Sequence, residues 1–130
     1  MCLILCSCST NIIPKGYINK EDYTNQNIDN LNSTLQYSIF TYDKTPNLSK
    51  NRFLEKINDD IKNKLEIYLI DFETEIQQYE FKDNYVINIA DISNEDYAYI
   101  DYKTNDKTTY FMIYYLDVSS NKLFYCYLMK

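Results

Sequence analysis

Four cysteines and three carboxylate clusters are the residues of this chain whose types and spacing could do chemistry. Cys2, Cys6 and Cys8 crowd the stretch "MCLILCSCSTN", and Cys126 stands far from them. Zinc sites usually pair cysteines as C-x2-C and add further Cys or His later. Here the spacings are C-x3-C and C-x-C, and the chain has no histidine. A closed four-ligand site would need every cysteine, three of them from one short segment. Neither a metal nor a cofactor is expected. The carboxylate clusters are Asp59-Asp60, Asp71-Glu73-Glu75 and Glu95-Asp96. Acid–base catalysis near neutral pH usually rests on histidine. A carboxylate pair substitutes only where burial splits its two pKa values. These clusters fall on a helix surface or in turns, so no catalytic residue is expected.

Two further possibilities are weaker. "DISNED" (91–96) offers Asp91, Ser93, Glu95 and Asp96 as calcium ligands. It lacks the central glycine and the distant bidentate glutamate of an EF-hand, and a hairpin loop accounts for it. Phosphate-binding glycine loops are excluded, because Gly16 is the single glycine. Cys126, in "KLFYCYLMK", alternates with Phe124 and Leu128 and reads as a small buried apolar residue. No histidine is present to lower its pKa and make it reactive.

The opening segment makes more sense as targeting. An apolar run, Met1-Cys2-Leu3-Ile4-Leu5, leads into Leu5-Cys6-Ser7-Cys8. This resembles the lipobox of bacterial lipoproteins, with Ser7 as the small residue before the cysteine. In that family a signal peptidase cuts before the cysteine, whose thiol carries a diacylglycerol. The resemblance implies lipidation at Cys8 and loss of Cys2 and Cys6. It implies a lipid-anchored place in the bacterial cell envelope, facing the periplasm or the exterior. The basic residues that the family carries ahead of the apolar run are absent, so the true start is expected upstream. Residues 1–8 then read as a truncated signal, 9–34 as a polar tether and 35–130 as the globular domain.

The bulk composition suits one domain of 130 residues, with 45% hydrophobic and 25% charged residues. The net charge of −6 disfavours nucleic acid and suits a basic protein partner. No apolar run reaches the ~18 residues that a membrane-spanning helix needs. Fifteen tyrosines and no tryptophan stand out. With the abundant Asn, Ile and Lys, they are what an AT-rich coding sequence produces.

The elements that must position these residues follow from periodicity. "LQYSIFTY" (35–42) alternates like a strand, and "DKTPN" (43–47) breaks it. From Ser49, a plausible N-cap, to about residue 80, apolar residues recur at three- and four-residue steps. Phe53, Ile57, Ile61, Leu65, Tyr68 and Phe72 lie in that stripe, which predicts one long helix, ~48 Å if uninterrupted, with a break near Asp71–Thr74 or conversion of "EIYLIDF" to a strand as the alternatives. "YVINIAD" (85–91), "YAYIDYK" (97–103), "TTYFMIYYLDV" (108–118) and "LFYCYLMK" (123–130) then read as four antiparallel strands, the third one central. The expected class is α+β: one long helix packed on a curved antiparallel sheet of four to five strands. The order β-α-β-β-β-β resembles the cystatin-like architecture, shared in part by the NTF2-like fold. The cystatin inhibitors' Q-x-V-x-G hairpin is absent, so their protease inhibition is not implied.

Ile67 and Ile70 lie opposite the helix stripe and are expected to face a partner unless Ile28 and Leu31 cover them. Tyr97 and Tyr99 join them as candidate contacts among the sheet tyrosines. The functional expectation is a membrane-anchored lipoprotein that binds a protein without catalysis, in the manner of an immunity or inhibitor module. The alternatives are an NTF2-like small-molecule or enzymatic domain and a structural envelope lipoprotein.

Overall fold

The computed structural model describes residues 12–26, 33–105 and 108–130. Cys2, Cys6, Cys8, Ile28 and Leu31 lie outside the described residues, and so does the whole of residues 1–8, expected to be a signal. Among the described residues the fold is α+β, with one long helix on an antiparallel sheet of six strands. The strands are β1 (Asn19–Thr24), β2 (Thr34–Thr41), β3 (Glu55–Lys56), β4 (Tyr97–Thr104), β5 (Thr109–Asp117) and β6 (Lys122–Met129). Their spatial order is β1-β2-β6-β5-β4-β3. Helix α1 (Asp59–Ile76) comes between β3 and β4. The doubly apolar strand, β5, is central as its sequence indicates.

The element order differs from the expected β-α-β-β-β-β at both ends of the helix. Residues 12–26, read as tether, belong to the domain. Ile12 is 4% exposed, and β1 pairs with β2 along its whole length. Asn25 fastens this hairpin: its side chain donates to Ser33 O and Tyr79 Oη and accepts from Leu35 N. The helix is also shorter, 18 residues or about 27 Å at 1.5 Å per residue. Its N-cap is Asn58, whose Oδ1 accepts from Ile61 N at 2.8 Å. Asp59 and Asp60 follow in the first turn, where carboxylates favour the positive helix end. Ser49 starts no helix because Asn51 intervenes. Its Oδ1 accepts from Phe53 N and Leu54 N, both at 2.9 Å, and holds a turn there. "YVINIAD" is not a strand. One 3₁₀ turn, Glu80–Asn84, precedes it and a second, Ile89–Asp91, forms its last three residues, where Asn88 Oδ1 accepts from Ala90 N at 3.0 Å. Buried Ile87 and Ile92 still plug the core from this segment.

The main core lies between helix and sheet. Leu65, Leu69, Phe72 and Ile76 of α1 pack on Leu35 and Tyr37 of β2, Phe111 and Ile113 of β5, and Cys126 and Leu128 of β6. Phe72 rests within ring contact of Tyr37, Tyr85 and Phe111. Lys130 ties the last strand to the helix, donating to Asp71 at 2.9 Å with Glu75 at 3.7 Å. A second cluster lies on the opposite face of the sheet. There Ile12, Tyr42 and Leu54 pack over Phe40, Leu116 and Leu123.

Buried tyrosines give this fold a pH limit. Tyr37, Tyr42 and Tyr115 are 0%, 4% and 3% exposed, and burial raises all three hydroxyl pKa values. In the unfolded chain these groups ionise near pH 10. Above that pH the unfolded state releases protons that the folded state keeps, so stability falls as pH rises. Each tyrosine is expected to remove up to about 1.4 kcal/mol per pH unit between its unfolded and folded values. Urea titrations from about pH 8 to about pH 12 check this; a flat profile through that range would contradict the burial of these hydroxyls.

Candidate functional site

Pairing registers arrange the helix-free face of the sheet in rows. One row runs Tyr97, Leu116, Leu123, Phe40 and Lys20. Residues 12–18 and 42–54 lie over it, and Phe40, Leu116 and Leu123 are buried. The next row runs Tyr99, Tyr114, Tyr125, Ser38 and Asp22. Its rings touch in series: Phe53 to Tyr99 at 5.5 Å, Tyr99 to Tyr114 at 6.2 Å, and Tyr114 to Tyr125 at 4.9 Å. Beyond it come Asp101, Met112, Tyr127 and Gln36, then Lys103, Tyr110 and Met129. Tyr110 and Tyr127 touch at 6.2 Å. Most of these outer side chains are half-buried, neither core nor fully solvated. The result is a tyrosine-rich platform open toward one end of the sheet.

The platform has polar edges. Tyr110 Oη donates to Asp101 at 3.4 Å, and Ser38 Oγ donates to Asp22 at 2.6 Å. A notch of about 250 Å³ beside Tyr114 and Tyr125 is bordered by Asp22, Gln36, Ser38 and Lys20. Tyrosines suit such a surface because a rigid ring carries both apolar area and a polar hydroxyl. Alternation in the sequence signals the strands, but only the register aligns these tyrosines. Tyr102 and Tyr115, which belong to the same sequence pattern, turn to the helix side instead.

The four candidate contacts do not form one surface. Tyr97 and Tyr99 are half-buried on the platform side, against the second cluster. Ile67 and Ile70 stand on the outer face of α1, 66% and 55% exposed, beyond the main core from the platform. Because nothing apolar among the described residues depends on them, Ile67→Asp and Ile70→Asp are each expected to change stability by less than about 0.5 kcal/mol. Thermal melts measure this; a loss comparable to a core cavity would show that these isoleucines are covered.

The chemical candidates have other employment. Asp96 is 2% exposed and accepts from Ser93 N, Val118 N and Tyr115 Oη at 3.0, 3.1 and 2.8 Å. It therefore anchors the 91–96 loop to β5. The hydroxyl of Tyr115 is raised in pKa by burial and then by this carboxylate. Glu95 pairs with Lys56 at 3.5 Å on the surface, while Asp71 and Glu75 hold Lys130. Among the described residues no three His, Cys, Asp or Glu side chains converge as metal ligands. Cys126 is fully buried beneath α1, and burial pushes its thiol pKa up. Among the described residues no helix is long and apolar enough to cross a membrane. Compared with known proteins, the chain matches no family model, no curated protein and no solved structure.

Proposed function

We propose that this chain is a non-catalytic protein-binding module that a lipid at Cys8 anchors to the bacterial cell envelope. The observation that carries the binding reading is the platform of Tyr99, Met112, Tyr110, Tyr125 and Tyr127, partly exposed on a rigid central sheet. Rigid aromatic side chains lose little entropy on contact and dominate protein interfaces. The helix–sheet interior favours binding at the surface over a small-molecule pocket, because Tyr37, Phe72 and Phe111 fill it. A basic partner suits the net charge of −6 and the carboxylates of Asp22 and Asp101 at the platform edge. An immunity or inhibitor role is the form of this function that a small acidic envelope protein fits.

Anchor and binding are tested separately. Expressed with a basic signal segment placed ahead of Met1, the protein is expected to enter the detergent phase and its Cys8→Ser variant to stay aqueous. Both remaining aqueous would end the lipoprotein reading. For binding, the tagged protein is crosslinked reversibly in its own cells and compared with a Tyr110→Ser/Tyr127→Ser variant. A partner recovered in stoichiometric yield with the native chain is expected to be lost with a variant that melts normally. Equal recovery from both would remove the platform as the binding surface.

A further inference from the structure

Strand β4 has eight residues, yet β3 pairs with only its first two, Tyr97 and Ala98. The ladder fixes where the other backbone groups point. At the hairpin end Asn105 N donates to Thr108 O at 2.9 Å, so Asn105 turns toward β5. Antiparallel pairs alternate, so Lys103 and Asp101 also face β5, while Thr104, Tyr102 and Ile100 direct N–H and C=O away from it. The β3 side agrees, since Ile57 N donates to Asp96 O at 2.9 Å. Among the described residues the outward groups of Ile100, Tyr102 and Thr104 have no hydrogen-bond partner.

A cleft of about 240 Å³ runs beside this edge. Phe53, Ile61, Ile100 and Tyr102 give it apolar walls, and Arg52 and Lys64 line it with positive charge against Glu55 alone. Arg52 is the single arginine of the chain and is exposed, with no ion pair among the described residues. Lys64 holds a loose surface pair with Asp60 at 3.8 Å. On a chain of net charge −6, this cleft reverses the sign locally. The opposite sheet edge is different in kind. There β1 presents Lys20, Glu21 and Asp22 in succession, a charge pattern that discourages strand addition.

We infer that the open edge of β4 takes an extended, acidic segment of a partner protein as an added strand, in line with β3, with an Asp or Glu side chain held by Arg52. Main-chain hydrogen bonds to Ile100, Tyr102 and Thr104 supply the affinity in this mode, and the cleft selects side chains. A guanidinium recognises a carboxylate bidentately, which fixes the register of the strand. A segment of five residues at ~3.3 Å each spans the three outward positions. The cleft shares Phe53 and Tyr99 with the tyrosine platform, but Arg52 and the outward backbone groups of Ile100, Tyr102 and Thr104 lie outside it, so either surface can fail while the other stands.

The probes are acetylated, amidated peptides of about seven residues at ~3.3 Å each, alternating Val and Thr, with a terminal Glu, Gln or Lys. The Glu peptide is expected to bind at least ~10-fold more tightly than the Lys peptide. Arg52→Gln should lower that affinity ~10-fold, and Arg52→Glu should reverse the preference, with the melting temperature unchanged. Methylating alternate peptide nitrogens should abolish binding. Amide exchange adds a residue-level readout. Ile100 and Tyr102 should exchange fast in the free protein and slowly with peptide, while Asp101 and Lys103 are protected throughout. Several results would overturn the inference: no binding, equal binding of Glu and Lys peptides, or indifference to nitrogen methylation. Protection confined to the platform, or a second copy of the chain on this edge by sedimentation, would overturn it as well.

Discussion

Phe72→Ala is expected to destabilise the protein by about 3–5 kcal/mol, the usual loss for an aromatic ring removed from a core. The side chain is fully buried and touches Tyr37, Tyr85 and Phe111. Those neighbours are rigid rings on β2, β5 and the segment after α1, so they close poorly over a void. The loss is a large part of the ~5–15 kcal/mol available to a domain. Urea unfolding measures it, with Ile67→Asp on the other side of the same helix as the control. A loss below about 1 kcal/mol would mean that the helix does not rest on the sheet through this residue.

Asp96→Ala is the second large effect. It leaves Ser93 N, Val118 N and Tyr115 Oη without their acceptor in a buried place. A stranded buried donor costs about 1–3 kcal/mol, and water entering the loop restores some of them, so about 2–4 kcal/mol is expected in total. Tyr115→Phe removes one of the three donors and should cost about 1 kcal/mol. Combined, the two substitutions should cost less than their sum, because they break one shared bond. Additive losses in a double-mutant cycle would contradict the direct contact. The same experiment separates a structural carboxylate from a ligand: calcium should not change the melting temperature of the native chain.

The parts of the fold that sequence made legible are those with strong periodicity. β2, β4 and β6 alternate, β5 stands out as apolar on both faces, and Leu65, Leu69, Phe72 and Ile76 mark the helix face. Strand β1 is hidden because "NKEDYT" turns Asn19, Glu21 and Tyr23 toward the core side, and one apolar residue among three makes no pattern. The helix start was displaced because Phe53 and Leu54 continue the apolar stripe in sequence but serve the opposite face of the sheet. Two asparagines decide that boundary. Asn51 holds a turn and Asn58 caps the helix, and side-chain bonds to backbone of this kind leave no trace in hydrophobic spacing.

Site legibility divides in the same way. The exposure of Ile67 and Ile70 follows from their place opposite the helix stripe, and it is present in the structure. The tyrosine platform needed the register. Tyr99, Tyr114 and Tyr125 are distant in sequence and become a continuous ring series only when β4, β5 and β6 pair residue for residue. Asp96 shows the reverse case. In sequence it resembled a solvated turn carboxylate, and its burial depends on Val118 and Tyr115 from another strand.

The most direct measurement of the binding proposal is a photo-crosslinking scan in the cells that make the protein. A photoreactive amino acid replaces Tyr110, Tyr127, Ile67 or Ile70 in turn, with Thr74 on the exposed helix as the background position. The account predicts one discrete protein adduct from positions 110 and 127, and only background from 67, 70 and 74. An adduct confined to positions 67 and 70 would move the interface to the helix. Background yield at all five positions would contradict the platform as a protein-binding surface.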